Sequence, residues 1–116
     1  MYFAGNFNID KWDLDAEYAV FDDITWTYLP AKKQLLGCQW EFELTDKYRR
    51  KRSVTYGLPA IVLCNRDGWL DIANDPMFDW IKDNMIVVEI KDALFYFVPG
   101  VGLALDQNPA TSLIYK

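Results

Sequence analysis

The sequence predicts an α/β fold built on a largely parallel sheet, on the strength of three observations. Tyr18 to Ile24, Pro59 to Cys64 and Met85 to Ile90 are apolar at nearly every position, the pattern of strands covered on both faces. Helical or looped crossovers separate them, as parallel strands require. Two of the runs end in polar residues, Asp22-Asp23 and Asn65, where ligands gather at the carboxyl ends of such strands.

Each element has a local reason. Tyr2-Phe3-Ala4 reads as a short strand, and Asn6 to Asp15, with Asp10, Asp13 and Asp15, as a turn-rich connection. After Pro30 the run Ala31 to Gln39 has helical character and stops near Gly37. Trp40-Glu41-Phe42-Glu43-Leu44 alternates as a half-exposed strand and Ser53-Val54-Thr55-Tyr56 answers it, which makes a β-hairpin with Lys47 to Arg52 at its tip. Pro59 is tolerated as the first residue of its strand. Asp75 reads as the N-cap of a helix running to Asn84, with Pro76 at its first position and Phe78 and Ile81 facing inward.

A chain of 116 residues with 52% hydrophobic and 16% aromatic content fits one domain that folds. The net charge of -5 argues against a nucleic-acid binder held by bulk charge, but Lys47, Arg49, Arg50, Lys51 and Arg52 concentrate basic residues within six positions. Cys38 and Cys64 sit in apolar stretches and read as reduced thiols of an intracellular protein. The start shows no secretory signal pattern, and the apolar stretch from Leu94 to Leu105 is broken by Pro99, Gly100 and Gly102. It falls short of the ~20 residues of a membrane span. A soluble chain without membrane partners is expected.

The absence of histidine removes Ser-His-Asp and Cys-His catalysis and histidine zinc sites, so acids, bases and metal ligands must be carboxylates. Two adjacent carboxylates at a strand mouth can divide the work, Asp22 holding magnesium and Asp23 polarising a water. Asn65 on the neighbouring strand end can orient that water against a terminal phosphate without adding charge. Other readings stand beside these: an acidic surface loop for the Asp pair, a turn former for Asn65, and a solvated hairpin tip or nuclear-import patch for the basic run.

Taken in order, these segments resemble the superfamily 3 helicase domain of replication-initiator proteins from geminiviruses and genomoviruses. Residues 18–24 look like its Walker B strand. Lys33-Gln34-Leu35-Leu36-Gly37-Cys38-Gln39 and Thr45-Asp46-Lys47-Tyr48 resemble its B′ motif and hairpin, spanning 32–56. Residues 57–65 are similar to motif C, ending in the sensor Asn65.

The resemblance implies a single truncated AAA+-like P-loop NTPase domain over 1–116, a parallel sheet with an inserted β-hairpin whose first, phosphate-loop strand is missing. It implies ATP and Mg2+ as cofactors, with Asp22, Asp23 and Asn65 at the nucleotide and Asp22 on the metal. Single-stranded DNA would lie against Lys47, Tyr48, Arg49, Arg50, Lys51 and Arg52, Tyr48 stacking on a base. Further partners would be the other subunits of a helicase ring or a full-length initiator, in the host nucleus. Two departures stand out: Arg49 replaces a glycine common after the Lys-Tyr pair, and Tyr56 replaces a lysine common before the motif C glycine. Arg66 is the only arginine after Asn65, and no arginine finger is assigned.

The sequence has no Gly-rich loop with a Lys-Ser or Lys-Thr pair, so the chain is expected to begin just after it and to bind ATP weakly or not at all alone. The sheet is then expected to lack a central strand. Three functions compete: an enzyme fragment of a helicase used in rolling-circle replication, a non-enzymatic remnant that joins full-length rings, and a free-standing single-stranded DNA binder.

Overall fold

The computed structural model describes residues 1–45, 51–90, 95–98, 102–105 and 113–115, the last three segments as backbone strands. These residues form strands β1 (Tyr2–Ala4), β2 (Ala19–Asp22), β3 (Glu41–Leu44), β4 (Arg52–Thr55), β5 (Ala60–Leu63), β6 (Ile86–Val88), β7 (Phe95–Val98), β8 (Gly102–Leu105) and β9 (Leu113–Tyr115). The helices are α1 (Lys32–Leu36), α2 (Arg66–Ala73) and α3 (Phe78–Asn84). An α/β fold is what the apolar runs predicted.

The main sheet has the order β1-β2-β5-β9-β6. The first three strands are parallel, with Phe3 opposite Phe21 and Phe21 opposite Val62. In place of the expected gap, β9 lies between β5 and β6 and runs antiparallel to both. The physical reason is hydrogen bonding: the facing edges of β5 and β6 carry backbone groups that β9 satisfies from both sides. Strands β7 and β8 form a separate antiparallel pair.

One face of the sheet makes the core. Phe3, Ala19, Phe21, Ala60 and Val62 are buried on it, and Phe3 stacks on Phe21 with ring centroids 5.4 Å apart. Leu35 and Leu36 of α1, Ile72 of α2, Ile81 of α3, and Trp26 and Leu29 from the loop after β2 close over this face. The expectation that both faces are covered is corrected. Val20, Asp22, Ile61 and Leu63 are only half-buried, and Tyr2 and Ile86 are more than half exposed, at 52% and 56%. Helices and loop of the described residues pack on the Phe3–Phe21 side, so alternate residues of β1, β2 and β5 are left half-wet, and β6 is exposed along its length.

The hairpin forms as its alternation requires. β3 pairs antiparallel with β4, Phe42 opposite Val54 and Leu44 opposite Arg52, with Glu41 and Glu43 exposed. Leu44 and Val54 join Ile9 in a second small core. At the hairpin's base the Tyr56 and Gly57 amides donate to Trp40 O and Gln39 O at 2.7 and 2.9 Å. Gly57 adopts φ +67, and a Cβ there would meet the Trp40 ring at 2.7 Å, so only glycine fits this turn into β5.

Tyr56 is a core residue here. It is 4% exposed and packs against Trp12 and Phe42, with centroids at 5.4 and 5.8 Å. Burial pushes its phenol pKa up, and its hydroxyl has no hydrogen-bond partner among the described residues. An unmet buried hydroxyl destabilises. A Tyr56→Phe chain is therefore expected to match or exceed the original in stability, by up to about 1 kcal/mol in urea unfolding. A loss of more than that would reveal a partner for the hydroxyl.

Two helix expectations change. Residues 66–73, which carried no helix expectation, form α2, and Asn65 caps it by accepting from the Gly68 amide at 2.8 Å. The later helix starts at Phe78, three residues after the expected cap. Asp75 holds the preceding turn instead: Oδ1 accepts from the Met77 amide at 2.8 Å and Oδ2 from Trp26 Nε1 at 2.7 Å. The Met77 bond above all, then those from Trp26 and the charge of Lys32, hold the Asp75 carboxyl below its ordinary range despite some burial. Lys32 lies 5.4 Å over the Trp26 ring and donates to Leu29 O at 2.8 Å, and partial burial lowers its pKa. This set fastens the loop after β2 to the turn before α3.

Candidate nucleotide and metal site

The parallel register decides where the polar strand ends meet. Asp22 pairs with Leu63, and the Asp23 amide donates to Leu63 O at 2.9 Å. Thus Asp22-Asp23 leaves β2 beside Cys64-Asn65 leaving β5, and Gly5, at the end of β1, donates its amide to Asp22 O at 2.9 Å. Three adjacent parallel strands present their carboxyl ends together.

Asp22 is half-buried, and its Oδ2 accepts a hydrogen bond from the Tyr2 hydroxyl. That bond, helped by some desolvation and the carboxylate's charge, raises the Tyr2 pKa. Asp23 turns the chain in the left-handed region at φ +52, a conformation aspartate tolerates better than most residues, and it is exposed. Burial first, and the Asp23 charge second, push the Cys64 thiol up, so the thiol beside the acid pair is protonated at neutral pH.

Asn65 is exposed, and its amide oxygen is spent on the α2 cap, which leaves the NH2 group as the part that can donate to a ligand. The capping role agrees with the reading of Asn65 as a turn former, and the NH2 group is left for the ligand role the sequence suggested. Arg66 follows as the first residue of α2 and is exposed. Lys51 and Arg52 are exposed at the start of β4, and an Arg52 guanidinium nitrogen lies 3.5 Å from Ile9 O. Lys47, Tyr48, Arg49 and Arg50 fall outside the described residues.

Among the described residues no group of three or more histidine, cysteine or acidic side chains is placed to hold a metal ion. Magnesium fits this donor set all the same, because it is commonly held by one or two carboxylates and completes its octahedron with water and phosphate. The phosphate side is less well provided: the sequence contains no Gly-rich loop to supply backbone amides and a lysine.

A cavity of about 570 Å³ opens beyond the ends of β1 and β2, lined by Asn6, Phe7, Ile24, Tyr28, Pro30 and Thr45 among others. None of Asp22, Asp23 and Asn65 lines it. Ile24 and Thr45 fall within the segments read as the Walker B strand and the B′ motif, but sequence reasoning did not place either at a cavity, and Asn6, Phe7, Tyr28 and Pro30 belong to connections with no periodic pattern. The turn signals around Asn6 and Pro30 were the only trace.

Comparison with known proteins identifies the family. Over 97 residues the chain is 33% identical to the replication-associated protein of Bean yellow dwarf virus, covering 83% of the chain and 29% of that protein. It is 34% identical to that of Tobacco yellow dwarf virus over 99 residues, 84% of the chain and 29% of the relative. With that of Sugarcane streak virus the identity is 37% over 103 residues, 86% of the chain and 28% of the relative. The chain belongs to the replication-associated proteins of geminiviruses. It spans less than a third of the length of these curated relatives. No protein-family model and no solved structure matches it. No helix among the described residues is long and apolar enough to cross a membrane.

Proposed function

We propose that this replication-associated chain is the hydrolysis and DNA-gripping part of a superfamily 3 helicase domain of the AAA+-like P-loop type, serving rolling-circle replication of circular single-stranded DNA in the host nucleus. In this reading 1–116 belongs to one such domain, with the Walker B strand at 18–24, B′ motif and hairpin at 32–56 and motif C at 57–65. The observation that carries it is the register that sets Asp22-Asp23 and Asn65 at the ends of adjacent parallel strands.

The roles follow from chemistry. Asp22 holds Mg2+ and Asp23 takes the proton from the water that attacks the terminal phosphate of ATP, while the Asn65 NH2 group orients that water. Magnesium, when bound, supplies charge neutralisation at the phosphates. Because the sequence lacks a phosphate loop, the chain alone binds MgATP weakly, with a dissociation constant of about 1 mM or more. Calorimetry of the chain against MgATP tests this. Binding of that order, lost in Asp22→Asn, is the expected result. Equal binding by the Asp22→Asn chain would remove Asp22 from the site.

A second reading, a non-enzymatic module that joins full-length initiator rings, is favoured by the half-wet sheet face, where Tyr2, Tyr18, Ile86 and Val88 are exposed. It predicts no MgATP binding together with co-purification with a full-length initiator.

A further inference from the structure

Asp22 does not stand free at the strand end. In the β1–β2 register its partner is Ala4, so Tyr2, two residues back on β1, shares its face of the sheet and lies diagonal to it. Phe3 and Phe21 point to the opposite face and are fixed there by their stacked rings, which leaves Tyr2 and Asp22 held on the half-wet side. From that position the Tyr2 hydroxyl donates to Asp22 Oδ2. One carboxylate oxygen is engaged, and Oδ1 remains for a cation.

That division matters to which ion is taken. Mg2+ demands near-ideal octahedral geometry and is satisfied by single carboxylate oxygens, whereas Ca2+ accepts six to eight oxygens and readily takes a carboxylate through both. Groups that hydrogen-bond a ligating carboxylate fix its orientation and tune the affinity of the ion it holds. Resting on the reading of Asp22 as the cation ligand, we propose that Tyr2 is a positioning residue that keeps Asp22 monodentate and so favours Mg2+ over Ca2+. It touches the ligand and not the ion.

The test follows the backbone amides around Asp22 by NMR while the whole chain is titrated with magnesium chloride or calcium chloride, without nucleotide. Unaltered, Tyr2→Phe and Asp22→Asn chains are compared. Tyr2 is 52% exposed, so loss of its hydroxyl leaves the packing of β1 intact. Tyr2→Phe is expected to weaken Mg2+ about 10-fold and to leave Ca2+ unchanged or tighter, shifting the ratio of the two affinities by about 10-fold or more. Asp22→Asn is expected to lose both ions. An unchanged ratio in Tyr2→Phe, including an equal weakening of both ions, overturns the role of Tyr2 while Asp22 keeps its own. If Asp22→Asn binds as the unaltered chain does, or the unaltered chain binds neither ion, the cation assignment itself falls and the Tyr2 role with it.

Discussion

A Phe21→Ala chain is expected to lose about 3–5 kcal/mol of stability, a large share of the roughly 5–15 kcal/mol a single domain possesses. Phe21 is 1% exposed, sits between Phe3 and Val62 in the register, and stacks on Phe3 at an interplanar angle of 9°. Phe3 in turn stacks on Phe7 at 4.8 Å, so truncation opens a cavity inside an aromatic row that small neighbours such as Ala19 and Ala60 cannot refill. The strand that carries Asp22 is anchored by this residue. Urea unfolding measures the loss as a lowered midpoint at unchanged slope. Val20→Ala, on the half-wet face one residue away, should cost far less, roughly 1 kcal/mol. Equal losses at the two positions would contradict the one-sided core.

The contrast between Val20 and Phe21 also shows what could be read in advance. Apolar runs located β1, β2, β5 and β6, and alternation the hairpin strands, each within two residues, because side-chain period and turn chemistry are local properties. They misjudged coverage, which depends on what packs over a face and not on the strand. Val20 and Ile61 are as apolar as a two-sided strand demands, yet the helices α1, α2 and α3 and the Trp26 loop add their buried side chains to the Phe21 side. Likewise β9 fills the sheet's interior through pairing over a long chain separation, which no local pattern encodes.

At the site, the acids and the amide were legible since polar residues closing apolar runs stand out. Helix α2 was not, because Asn65 was taken as the end of a strand when it is also the start of a helix. The signal was present in Asn65, in Asp67 within the first turn, and in Trp69 and Ile72 at helical spacing. Tyr2 was missed for a different reason. Only the register between β1 and β2 brings its hydroxyl to Asp22, and register is a tertiary fact.

The basic run carries the other large effect. If the hairpin grips single-stranded DNA as proposed, each arginine removed from the phosphates lowers the salt slope of binding by about 0.7. Arg49→Ala, Arg50→Ala and Arg52→Ala together should therefore reduce the slope by about 2 and the affinity at 0.1 M salt by about 100-fold, whatever the base sequence. Fluorescence anisotropy with an oligothymidine across a salt series reads both quantities. Arg52 is the informative member, since it opens β4 opposite Leu44 and its guanidinium lies near Ile9 O. A structural loss at that position would lower stability without changing the slope of the remaining binding. Unchanged affinity and slope in the triple variant would mean that the net charge of -5 governs, and that the run is a solvated tip or an import patch. A slope that falls while MgATP binding persists would separate the proposed DNA grip, next to the β3–β4 pair, from the proposed nucleotide site on the five-stranded sheet.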